Sequence, residues 1–175
     1  STAKIAGGQA VLVDPMVKGL SLEPLYDLFR QKATVKVFHA ARQDLEIFQV
    51  NAGVIPAPLF DTQVAAMVCG FGDQVAYGTL IAKLVGVQLE KTSRFADWSR
   101  RPLTQKQLAY ALSDVTYLRV AYEKLAAELE TSGRAHWLDS EMDVLTDPDT
   151  YRMDPREAWR RIKSRTTNPK FLSVL

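Results

Sequence analysis

Apolar residues in the first third of the chain fall in short runs separated by turn-forming residues. Ala10 to Val13 (AVLV), closed by Asp14-Pro15, predicts a short buried strand. Leu22 to Arg30, with Leu22, Leu25, Tyr26 and Phe29 on one side, predicts a helix. Val35 to Phe38 predicts a second strand that runs into a helix from His39 to about Val50, ended by Asn51 and Gly53. Leu59-Phe60 is a third strand, after which Asp61 or Thr62 caps a helix from Gln63 to about Cys69. Strands alternating with helices in this way predict an α/β sheet.

Beyond residue 73 the pattern turns helical. Asp73 to Val85 reads as a helix stopped by Gly86, and the longest helix opens with Thr104-Gln105-Lys106-Gln107, in which Thr104 and Gln107 can satisfy each other's backbone donors. Leu108, Leu112, Val115, Leu118, Tyr122, Leu125 and Leu129 recur at three- and four-residue steps and predict one apolar stripe along it. Gly133 interrupts, Arg134 to Leu145 resumes, and Asp154-Pro155 starts a last short helix containing Trp159. The expected division is a domain over 1–150, followed by a basic helix and linker over 151–175.

Composition narrows the possibilities. With 175 residues, 47% of them hydrophobic, the chain can bury one substantial core. No run approaches a membrane span and no secretory leader pattern opens the sequence, so a cytoplasmic protein is expected. One cysteine and two histidines leave no Cys/His zinc site, so any metal must be held mainly by oxygen. The net charge of +2 conceals a basic end, since residues 151 to 175 carry seven Lys and Arg against Asp154 and Glu157. Such an end suits either phosphate contact or a solvated helix.

Two features could carry chemistry. Tyr110 and Asp114 lie four apart on the long helix and so share one face, placed opposite the Leu108/Leu112 stripe. A carboxylate there can hold a divalent ion while a phenol one turn away positions a water, although an exposed Tyr and Asp would give the same spacing. Asp44 lies in the first turn of the helix that follows strand Val35 to Phe38, where the helix dipole favours an ionised carboxylate and where α/β sheets gather their ligands. Simple capping is the alternative. His39 either faces that site or is a hydrogen-bonded structural residue, and Asp61 is expected to cap rather than to ligate. The loop from Lys91 to Lys106 interleaves Arg94, Arg100 and Arg101 with Phe95 and Trp98, so charge could hold an RNA backbone while Trp98 stacks on a base or anchors the loop.

Taken together, five blocks resemble the ribonuclease D family in the same order: Phe38 to Phe48 (FHAARQDLEIF), Phe60 to Gln63 (FDTQ), Leu84 to Val87 (LVGV) with Lys91, Asp97 to Leu103 (DWSRRPL), and Tyr110 to Val115 (YALSDV). The resemblance implies the α/β, ribonuclease H-like exonuclease fold of the four-carboxylate nucleases. It also implies 3′→5′ hydrolysis of RNA with two Mg²⁺ or Mn²⁺ ions, Asp44 and Asp114 as metal ligands and Tyr110 orienting the water. Its substrates would be single-stranded 3′ tails of structured RNA such as precursor transfer RNA. The family's first motif, Asp-x-Glu on the first strand, is not found before residue 44, where the only acids are Asp14, Glu23 and Asp27. The first two strands of the sheet are therefore expected to be lacking, with the sheet cut in two and activity impaired. A nucleic-acid-binding module of the same fold without activity, and a DNA proofreading-type exonuclease, are the alternatives.

Overall fold

The computed structural model describes residues 2–6, 9–89 and 96–152. Its elements are β1 (Thr2–Ala6), β2 (Gln9–Val13), α1 (Glu23–Arg30), β3 (Lys36–Phe38), α2 (Arg42–Ala52), β4 (Leu59–Asp61), α3 (Thr62–Val68), α4 (Tyr77–Val85), α5 (Gln105–Thr131) and α6 (Ala135–Thr146), with a 3₁₀ turn at Pro148–Tyr151. The helix expected from Asp154-Pro155 lies outside the described residues.

Two separate strand pairs make up the described β-structure. β1 and β2 are antiparallel, with Ala6 opposite Gln9 and Thr2 opposite Val13. β3 and β4 are parallel, as the intervening helix α2 requires, with Val37 opposite Phe60. A sheet in two parts was expected, but a strand at Thr2–Ala6 was not. The segment TAKIA is short and has few strand-favouring residues, and it becomes a strand by pairing with β2.

Helix α5 joins the two pairs by packing against β1, β2 and β3, and on its other sides against α3, α4 and α6. Its start is the expected reciprocal cap, with Thr104 N donating to Gln107 Oε1 (2.9 Å) and Gln107 N to Thr104 Oγ1 (3.3 Å). The main core gathers Leu45, Leu59, Phe60, Ala65, Leu80, Leu125, Leu129, Leu138 and Met142. Leu125 and Leu129 of the expected stripe are buried there. Val115 and Leu118 are only half-buried, because they face an open cavity that also receives Tyr110 and Asp114. The polar pair and that part of the apolar stripe thus share a cavity instead of lying on opposite sides of the helix.

Two helix starts differ from expectation for the same reason. α2 begins at Arg42, not His39, because Ala40 has φ 57°, and α4 begins at Tyr77, not Asp73, because Gln74 has φ 50°. A residue in the left-handed region cannot continue a right-handed helix. Lys36, buried at the edge of β3, donates its ammonium to the carbonyls of Gln31 and Ala57, fastening the end of α1 to the approach to β4.

Candidate active site

Asp44, Tyr110 and Asp114, which are far apart in sequence, line a single open cavity of about 1320 Å³, together with His39, Tyr77, Trp98 and Arg101. Its apolar wall includes Phe29, Val37, Phe38 and Leu118.

The position of Asp44 follows from a turn that Asp61 builds. The Asp61 side chain, 1% exposed, accepts from Ala40 N (3.0 Å), Ala41 N (2.7 Å) and Gln63 N (2.8 Å). One carboxylate therefore organises the chain just before α2 and caps α3, as the sequence led one to expect for α3 alone. It holds Ala40 in its left-handed conformation and so sets where the first turn of α2, with Asp44, emerges.

Asp44 and Asp114 both keep access to solvent from the open cavity while protein crowds them on the other sides. That partial desolvation pushes Asp114 up to about 6. It raises Asp44 as well, with the negative charge of Asp61 adding to the effect. Partial desolvation disfavours the charged form of both carboxylates, the condition in which a bound cation gains most. Among the described residues, however, no group of three or more His, Cys, Asp or Glu could hold a metal. The two acids fit a hard divalent ion in donor type and fall short of a two-ion site in number.

On α5, the Tyr77 hydroxyl donates to the Ser113 carbonyl (3.2 Å), in the turn between Tyr110 and Asp114. Burial raises the Tyr77 phenol pKa, with Asp114 contributing, so it stays a donor. The Tyr77 ring also meets His39 edge to face, with centroids 5.4 Å apart. Nothing in the sequence pointed to Tyr77, an aromatic residue at the start of a short helix. His39 is held at Nδ1 by Thr62 Oγ1 (3.0 Å), while Thr62 donates to Phe38 O (2.9 Å). Its Nε2 is buried without a well-formed hydrogen bond among the described residues. Burial lowers the His39 pKa against the opposing pull of Asp61 and of the Val75 backbone.

The loop before α5 brings Trp98 next to Tyr110, with ring centroids 6.0 Å apart and planes tilted by 49°. Arg101 is heavily engaged: Nε and Nη2 grip Asp14 at 2.6 and 2.7 Å, and Nη1 donates to the Trp98 and Arg100 carbonyls. The same pairing occupies Asp14, the acid at the end of β2. Arg100 is exposed and faces an adjoining cleft, and Arg94 lies outside the described residues.

Residues 3–130 match the family model described as 3'-5' exonuclease. The chain belongs to the 3'-5' exonuclease family. Within that family it is 59% identical over 165 residues to Ribonuclease D of Jannaschia sp. (strain CCS1) and 52% identical over 165 residues to Ribonuclease D of Bartonella henselae, covering 94% of this chain in each case. It spans 43% and 41% of those two proteins, so about two-fifths of their length. Among solved exonuclease structures, Escherichia coli RNase D superposes with a TM-score of 0.79 at 33% identity, over 91% of this chain and 42% of that one. Brucella melitensis NrnC with bound Mg2+ superposes with a TM-score of 0.65 at 28% identity, over 81% and 69%. The ribonuclease D resemblance and the α/β exonuclease fold read from the motifs are thereby borne out.

Proposed function

We propose that this chain is the nuclease part of a metal-dependent 3′→5′ exoribonuclease that trims single-stranded 3′ tails of structured RNA, such as precursor transfer RNA, in the cytoplasm. The observation that carries the reading is the meeting of Asp44, Tyr110 and Asp114 at one cavity. The Mg2+ bound by the NrnC relative supports a divalent ion, and the ribonuclease D relatives support RNA as substrate.

In this reading Asp44 and Asp114 hold the ion, Mg²⁺ or Mn²⁺, which when bound activates water and offsets the charge of the phosphate. Tyr110 orients the attacking water through a hydrogen bond to its phenol. Tyr77 holds the Tyr110–Asp114 turn through the Ser113 carbonyl. Trp98, beside Tyr110, offers a face for the terminal base, and Arg94 and Arg100 offer cations for the backbone, with Arg101 bracing the loop that carries Trp98. His39 closes the cavity behind Tyr77. Residues 1–150 form the nuclease domain and 151–175 a basic connection.

Two carboxylates are too few for two ions, so the expected turnover of the chain by itself is low. The test is a 5′-labelled single-stranded RNA incubated with Mn²⁺, beside a DNA oligomer of the same sequence. A ladder of RNA products shortened one nucleotide at a time supports the reading. RNA binding without shortening, even at high enzyme, favours the inactive module, and preferential shortening of DNA favours a proofreading-type enzyme.

A further inference from the structure

A second concavity, of about 540 Å³, lies at the start of α5 and is lined by Asp97, Arg100, Arg101 and Lys106. Arg101 lines both this cleft and the cavity that holds Asp44 and Asp114, so the two adjoin at that residue. The charges in the cleft are unevenly committed. Arg101 is neutralised by Asp14 through two short hydrogen bonds. The Asp97 Oδ1 accepts from Ser99 N (3.0 Å) and Ser99 Oγ (2.6 Å). Arg100 and Lys106 have no ion pair among the described residues and are exposed. With Arg101 cancelled by Asp14, two cations face one carboxylate, which leaves the cleft positive.

Its placement relative to the chemistry is fixed by α5. Lys106, Tyr110 and Asp114 occur at four-residue steps and so run along one side of the helix, Lys106 about 6 Å from Tyr110 and about 12 Å from Asp114 along the axis. Resting on the reading that a 3′ terminus sits against Tyr110 and Asp114, a strand leaving the cavity over Arg101 meets Arg100 and Lys106 within a few nucleotides. We propose that this cleft is a separate phosphate subsite for the RNA backbone on the 5′ side of the terminal nucleotide, with Arg100 and Lys106 as its cations. It adds length-dependent affinity and leaves binding of the last nucleotide unchanged, because a dinucleotide cannot reach it.

The test is fluorescence anisotropy with 5′-fluorescein RNAs of two and eight nucleotides, in chelator so that nothing is cleaved, on the full chain and on its R100A/K106A variant. Lys32→Ala, which removes an exposed cation elsewhere, controls for net charge. The expected result is a loss of roughly tenfold for the octamer and none for the dimer. The slope of log affinity against log salt should also shrink by about 1.4 for the octamer, ~0.7 per cation withdrawn from a single strand. Unchanged octamer binding by the variant overturns the subsite and leaves the nuclease reading standing. An equal loss for both lengths, or an equal loss in Lys32→Ala, shows general electrostatic attraction and overturns it as well. Failure of the unsubstituted chain to bind either RNA sinks the nuclease reading, and the subsite with it.

Discussion

Removing the Asp61 carboxylate should destabilise the protein more than removing either proposed metal ligand. In Asp61→Ala three backbone donors lose their acceptor: Ala41 N in a fully buried residue, and Ala40 N and Gln63 N in partly buried positions. A buried donor left unsatisfied costs about 1–3 kcal/mol, and the two donors nearer the surface can partly recover by hydration, which gives a total of roughly 3 kcal/mol. Asp61→Asn keeps one oxygen acceptor and sets an NH₂ against the remaining donors, so about half that loss is expected. Urea unfolding followed by far-UV circular dichroism reads both variants on one scale. Ala40→Gly, by contrast, relieves the left-handed strain at φ 57° and should be neutral or stabilising by a few tenths of a kcal/mol. An Asp61→Ala variant within about 0.5 kcal/mol of the unsubstituted protein would refute the claim that this carboxylate holds the approach to α2.

Three further outcomes are expected. Asp44→Asn and Asp114→Asn should each abolish any Mn²⁺-dependent shortening of RNA while leaving RNA binding measurable by anisotropy; shortening at the normal rate by either variant removes that residue from the site. Thr104→Ala should cost about 1 kcal/mol in urea unfolding, since it breaks the reciprocal cap of α5, and a loss near zero would mean the cap is dispensable. Hydrogen bonds from the Arg101 guanidinium hold the Asp14 carboxyl at about 2, below its ordinary value of 3.8. The folded-state value being the lower one, this pair stabilises the fold above pH 3.8 and the contribution fades as the pH falls through about 2. Melting temperatures of Asp14→Asn and of the unsubstituted protein should therefore differ at pH 6 and converge toward pH 2. A constant gap would show that the pair is not the cause.

The motifs were legible because they combine local periodicity with unusual residue types. A Tyr-x-x-x-Asp on a capped helix and an acid in the first turn after a strand need only chain geometry to be placed on a face or at an edge. What the sequence hid depends on contacts between distant segments. β1 is a strand only through β2, and the late starts of α2 and α4 come from left-handed residues that no propensity marks. At Ala40 the conformation is held by an acid 21 positions away. Tyr77 bonds a carbonyl 36 residues on, and Arg101 is tied to Asp14 across 87. Arg101 shows the limit most clearly. In sequence it is one of several loop cations, and only the fold reveals that its charge is already answered.

No hydrogen-bond ladder crosses between the β1–β2 hairpin and the β3–β4 pair among the described residues, so their alignment rests on their shared packing against α5 and on the Arg101 clamp. Cooperative opening should therefore split along that seam. Amide protons of Gln9–Val13 should exchange with solvent as one group, earlier than those of Lys36–Phe38, which sit over the main core. Asp44 then belongs to the slower-opening body, and the hairpin can shift without carrying it along.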